Sequence, residues 1–84
     1  MGRFVVLVEV SLREGVADPQ GATVERSLPA LGFEGVTDVR VGKAVRFQVD
    51  APDRDSAMDQ VRKLSESFLS NPVIEDVRID LTPA

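Results

Sequence analysis

Asp18-Pro19-Gln20-Gly21, followed by Leu31-Gly32-Phe33 and Val39-Arg40-Val41-Gly42-Lys43, is the stretch whose reading decides the fold of this 84-residue chain. Asp18 is a good helix N-cap, because its carboxylate can accept a free amide of the first turn. Pro19 then falls at the first helical position, where a missing N–H costs nothing. Val24, Leu28 and Leu31 follow at helical spacing and predict a buried stripe. Gly32 is the expected stop, with Phe33 just beyond it. Pro29 interrupts the pattern, so a kink or a tightened last turn is expected there. Thr37–Val41 and Val45–Val49 then alternate around Gly42-Lys43. Glycine at the first central position suits a two-residue hairpin turn, with a bulge near Thr37 or Asp38 bringing Val36 into phase.

Working outward, Phe4, Val6, Val8, Val10 and Leu12 alternate with a second face that is apolar at its start (Val5, Leu7) and polar at its end (Glu9, Ser11). Period-two alternation rich in β-branched residues predicts a strand, and the half-apolar far face predicts a central one. Beyond the hairpin, Asp53 is the expected cap of a second helix, with Ala57, Val61, Leu64 and Phe68 as its buried stripe and Met58 and Leu69 widening it. Asn71-Pro72 ends it, and Val73–Leu81 alternates as a last strand. The order is β-α-β-β-α-β, an α+β, ferredoxin-like split βαβ unit. A four-stranded antiparallel sheet with both helices on one face follows, in a single domain over residues 1–84.

Composition limits the function. A net charge of −4, a pI near 4.6 and 5% aromatics argue against nucleic acid. They also argue against an anionic membrane surface. No apolar run approaches the ~20 residues of a transmembrane helix, and Phe4–Val8 is a strand rather than a signal peptide. A cytoplasmic protein is expected. The chain has neither Cys nor His, which removes the thiolate nucleophile, the commonest metal ligand and the side chain best suited to proton transfer near neutral pH. No catalytic residue, metal site or cofactor is expected in this chain by itself. A chain this size is near the lower limit for standing alone, since a core below roughly 70–80 residues yields only about 3–5 kcal/mol, so a homo-oligomer built on a dimer is expected, with Val5, Leu7 and Arg46 on the uncovered sheet face as its candidates.

Three groups could carry contacts. Gly42-Lys43 could grip a phosphate or simply turn a hairpin, and Arg40 and Arg46 lie on the same outward face. Gln20 and Gly21 follow a cap that could hold an anion. Glycine inside a first turn costs up to ~1 kcal/mol relative to alanine, and close approach of another backbone is one reason to accept it. Asp50, Asp53, Asp55 and Asp59 read as a solvated helix start, since their spacing is not that of a calcium loop.

These residues, with Gly15-Val16, Leu31-Gly32-Phe33 and Asn71-Pro72-Val73-Ile74-Glu75, resemble the PurS family, the small subunits of formylglycinamidine ribonucleotide synthase, over essentially the whole chain. Pro29 and Ser65 depart from the pattern. The resemblance implies a non-catalytic subunit of an ATP-dependent, glutamine-using carbon–nitrogen ligase at the fourth step of purine synthesis. It would bridge a glutaminase (PurQ-type) and a synthetase (PurL-type) and help ammonia pass between them, with ATP and Mg used by the assembled complex. Gln20, Gly21, Arg40, Gly42, Lys43, Asn71, Pro72 and Glu75 would contact the partners. The alternative is a small ligand-sensing regulatory module of the same topology. A stand-alone enzyme ranks third, disfavoured by the missing catalytic side chains.

Overall fold

Strand β1 (Gly2–Leu12) runs through the middle of the sheet and pairs antiparallel with β2 (Lys43–Ala51) on one side and β3 (Glu75–Pro83) on the other. The computed structural model describes residues 2–84. Val6 faces Phe47 and Leu81, and Val8 faces Val45 and Ile79, so even-numbered β1 residues meet the inward residues of both neighbours. Phe4, Val6, Val8 and Val10 are buried under helix α2 (Arg54–Leu64), which contributes Ala57 and Val61. Asp53 caps α2 as expected, accepting the Ser56 amide at 2.8 Å.

The sheet has three strands among the described residues, not four. Thr37–Val41 joins no ladder, and Gly42-Lys43 turns no hairpin, because Lys43 already opens β2. Two local causes act together. Gly35 and Asp38 have positive φ (81° and 61°), which breaks the run before it can straighten. The Val39 and Val41 amides, which a ladder would use, are instead taken by Glu25 of helix α1 (Pro19–Ser27) and by its capping residue Asp18.

Helix α1 does not cover its own sheet. Its one buried residue is Gly21, and the expected stripe is open: Val24 is exposed and Leu31 is 69% exposed. Pro29 opens a single 3-10 turn (Pro29–Leu31) that Gly32 ends in the left-handed conformation, the tightened finish its position requires. With α1 carried off the sheet, the molecule measures 53 × 27 × 15 Å. Its radius of gyration is 16.5 Å, against ~12 Å for a compact chain of this length.

The second stripe is also displaced. After Leu64 the helix widens into a π turn (Ser65–Leu69), and wider turns shift which residues face inward. Ser65 is buried and Leu69 packs on the core, while Leu64 is exposed and Phe68 is 80% exposed. The inward set is therefore Ala57, Val61, Ser65 and Leu69, four residues apart. The Ser65 hydroxyl donates to the Val61 carbonyl at 2.8 Å, so its burial leaves no polar atom unpaired.

Candidate functional site

One end of the sheet gathers most of the candidate residues. There β1 ends at Leu12, Lys43 opens β2 opposite Val10, and Glu75 opens β3 opposite Leu12. The first turn of α1 closes this end and forms a shallow cleft floored by Val10, Leu12 and Val41 and edged by Gln20, Gly42, Lys43 and Glu75.

Asp18 ties the cleft together. Its Oδ1 accepts the Gly21 amide at 2.9 Å, and its Oδ2 accepts the Val41 amide at 2.7 Å. The Arg40 Nε lies 4.0 Å from Oδ2, and the Asp18 side chain is only 6% exposed. The Gly21 amide, then the Val41 amide and the Arg40 charge, hold this carboxyl below the usual carboxylate range, against an opposing effect of burial. Two helical turns further on, Glu25 accepts the Val39 amide at 2.9 Å. The capping carboxylate and one two turns along the helix thus hold alternate amides of one segment.

The glycines follow from this close approach. A Cβ on Gly21 would overlap the Val39 carbonyl oxygen, and one on Gly42 would sit 2.6 Å from the Val10 carbonyl oxygen. Arg40 turns back into its own chain, donating to the carbonyls of Val16 (3.0 Å) and Arg13 (3.4 Å). Gly21, Arg40 and Gly42 therefore build the cleft, while Gln20 and Lys43 are exposed at its rim.

The Asn71–Glu75 turn closes the same end from the β3 side. Asn71 Oδ1 accepts the Val73 amide (3.1 Å), and the Glu75 carboxylate accepts the Asn71 amide (2.7 Å). The Pro72 carbonyl accepts a guanidinium N–H of Arg13 at 2.7 Å, and Arg13 also reaches Asp76 at 3.6 Å. Val73 is 81% exposed on this turn. Val5, Leu7 and Arg46 lie elsewhere, on the sheet face away from α2.

The sequence reading passed over Arg13, which joins the two candidate groups, and Glu25. The seven-residue spacing of Asp18 and Glu25 was the available signal for the second. Among the described residues no three acidic, His or Cys side chains approach closely enough to share a cation. This end is a braced backbone frame that leaves one ammonium (Lys43), one amide (Gln20) and an apolar turn (Val73) exposed.

The described residues form a small α+β unit whose polar groups at this end mostly brace its own backbone. The family model described as PurS, phosphoribosylformylglycinamidine (FGAM) synthase, matches residues 5–83, and the chain belongs to that family. It is 40% identical over 78 residues to a Bacillus subtilis protein named phosphoribosylformylglycinamidine synthase subunit PurS, covering 93% of this chain and 92% of that one. A Synechocystis protein of the same name is 37% identical, covering 89% of this chain and 75% of its relative. Among solved structures, the B. subtilis PurS chain superposes with a TM-score of 0.83 at 39% identity, covering 94% and 98% of the two chains. A chain from the structure of PurLQS from Thermotoga maritima superposes with a TM-score of 0.89 at 33% identity, covering 98% and 100%.

Proposed function

We propose that this chain is the non-catalytic assembly subunit of a formylglycinamidine ribonucleotide synthase, linking a PurQ-type glutaminase to a PurL-type ATP-dependent synthetase. The observation that carries the reading is the superposition of nearly the whole chain on a chain of a PurLQS structure. The chemistry of the chain supports it: no His, no Cys, and a docking end whose charged groups mostly brace backbone. ATP and Mg would be bound by the assembled complex, with this chain holding no cofactor and serving as one domain. Its place would be the cytoplasm; among the described residues no helix is long and apolar enough to cross a membrane. Lys43, Gln20 and the Asn71–Glu75 turn would touch the larger subunits. The exposed Leu31 and Phe33 and the elongated shape favour a chain covered by others, including copies of itself.

The test is reconstitution. Synthetase and glutaminase subunits from the same source are supplied with ATP, glutamine and substrate, with and without this chain. Glutamine-dependent synthesis should appear only with it. If free ammonia drives the reaction and adding the chain leaves glutamine-dependent synthesis unchanged, the bridging role is wrong.

A further inference from the structure

Arg13 is the first residue beyond β1, and three of its groups are engaged at once. Its amide donates to the Ile74 carbonyl at 2.8 Å, one step past the Leu12–Glu75 pair that ends the β1–β3 ladder. Its guanidinium donates to the Pro72 carbonyl while facing Asp76, a fork that a lysine ammonium does not reproduce. Its own carbonyl accepts the Val16 amide at 3.1 Å, across a turn in which Gly15 has a φ of 86°, and also accepts Arg40. Inside the Asn71–Glu75 turn, the Asn71 carbonyl accepts the Ile74 and Glu75 amides at 3.1 and 2.8 Å. Among the described residues, Arg13 is the one side chain from outside this turn that hydrogen-bonds to it. The turn so held is apolar and open to solvent, with Val73 at its crest and Ile74 exposed beside it. Ordering such a segment costs backbone entropy and buries no apolar surface in return, so its bracing does little for the isolated fold and much for a fixed shape.

We infer that Arg13 is a positioning residue for assembly, setting the Asn71–Glu75 turn so that Val73 enters an apolar pocket of a larger synthase subunit; this rests on the proposed contact of that turn with the larger subunits and names its anchor. A turn fixed before contact spares the encounter the cost of ordering it. Were the turn loose, apparent affinity would fall by the fraction of time spent in the competent shape. Arg13 acts through the turn because its guanidinium is aimed at its own chain, at Pro72 and Asp76. It also joins the turn to the cleft: its carbonyl holds Arg40, whose Nε lies 4.0 Å from the Asp18 carboxylate. The apolar crest and the α1 cap thus belong to one frame.

Arg13→Ala, Val73→Asp and the double variant of the full chain are compared in the reconstituted synthase. The readouts are the plateau rate of glutamine-dependent synthesis and the concentration of this chain that gives half of it. Val73→Asp should raise that concentration about tenfold and Arg13→Ala about fivefold, each reaching the parent's plateau. The double variant should match Val73→Asp, since an anchor already lost cannot be misplaced again. In Arg13→Ala, amide exchange should quicken at Ile74 and Glu75 and stay unchanged at Val6 and Val8. If Val6 is loosened as well, Arg13→Lys takes its place, keeping the charge without the fork, and the same order of effects is expected. Each variant alone should sediment as the parent does. Val73→Asp acting as the parent would overturn the turn as a contact, and the proposal with it. With Val73→Asp impaired, an Arg13 variant that acts as the parent would overturn the positioning role alone. So would a double variant whose loss is the product of the two, which marks Arg13 as a direct contact. Altered sedimentation would move the turn to a contact between copies and equally overturn the proposal.

Discussion

Asp18 and Val41 are joined by a 2.7 Å hydrogen bond that spans 23 positions of sequence, and the same carboxylate caps the helix that begins beside it. One side chain thus decides both where α1 starts and where the returning chain lies against it. Asn at this position could still accept from the Gly21 amide, but its NH2 would then face the Val41 N–H, a donor against a donor. Asp18→Asn should therefore raise the amide exchange rate of Val41 about tenfold while leaving Val6 and Val8 unchanged. Equal protection of Val41 in both proteins would remove Asp18 from this role.

The same carboxyl predicts a pH response. Its folded-state pKa is lowered, so its contribution is present above the ordinary carboxylate value and is lost as pH falls through the folded value. Protection of Val41, corrected for the intrinsic exchange rate, should fall on acidification in the parent and stay flat in Asp18→Asn.

Gly21→Ala tests the close approach. In an open helix this exchange commonly stabilises by about 0.4–1 kcal/mol. Here the added Cβ would overlap the Val39 carbonyl oxygen and sit 2.7 Å from Asp18 Oδ2. Net destabilisation is expected, with loss of protection at Val39 and Val41. A higher melting temperature with both amides still protected would show that the segment can move aside.

The π turn makes opposite predictions for two positions of the expected stripe. Val61→Ala should cost about 2 kcal/mol, for lost transfer energy and a cavity at a fully buried site. Phe68→Ser should stay within about 0.5 kcal/mol of the parent, as exposed substitutions do. Denaturant unfolding separates the two, and a large loss at Phe68 would restore a regular helical stripe.

Lys43 touches solvent at the cleft rim, whereas Arg40 holds carbonyls of its own chain. Lys43→Glu should leave the melting temperature unchanged. On the proposed contact of Lys43 with a larger subunit, it should raise the concentration of this chain needed for half-maximal glutamine-dependent synthesis by about tenfold. Arg40→Ala should lower local stability as well, so only the first variant reads the interface cleanly.

The strands β1, β2 and β3, both helix caps and the 3-10 finish at Pro29 were legible because each rests on local chemistry: alternation, a capping Asp, a proline. The fourth strand was misread for a non-local reason. Val39 and Val41 alternate as a strand does, but their amides are claimed by Asp18 and Glu25, and only the fold brings those carboxylates near. The shift from Leu64 and Phe68 to Ser65 and Leu69 was hidden too. A buried serine is acceptable only once its hydroxyl finds the Val61 carbonyl. At the cleft, the cost of Gly21 pointed to a crowded backbone, and the neighbour is Val39. The roles of Arg13 and Arg40 depend on carbonyls from loops that no sequence periodicity places.

Because β1 is central, its first-made residues wait for the last. Val6 pairs with Phe47 and Leu81, roughly 40 and 75 residues downstream. The added loop-closure entropy of the longer pairing is only about 0.5 kcal/mol, so equilibrium stability hardly registers the order. Time does. At about 5–20 residues per second, Phe4–Val10 is made seconds before β3 exists, and the edge that β3 covers stays unpaired even after β2 has been made. During that interval the segment is the chain's most exposed route to aggregation.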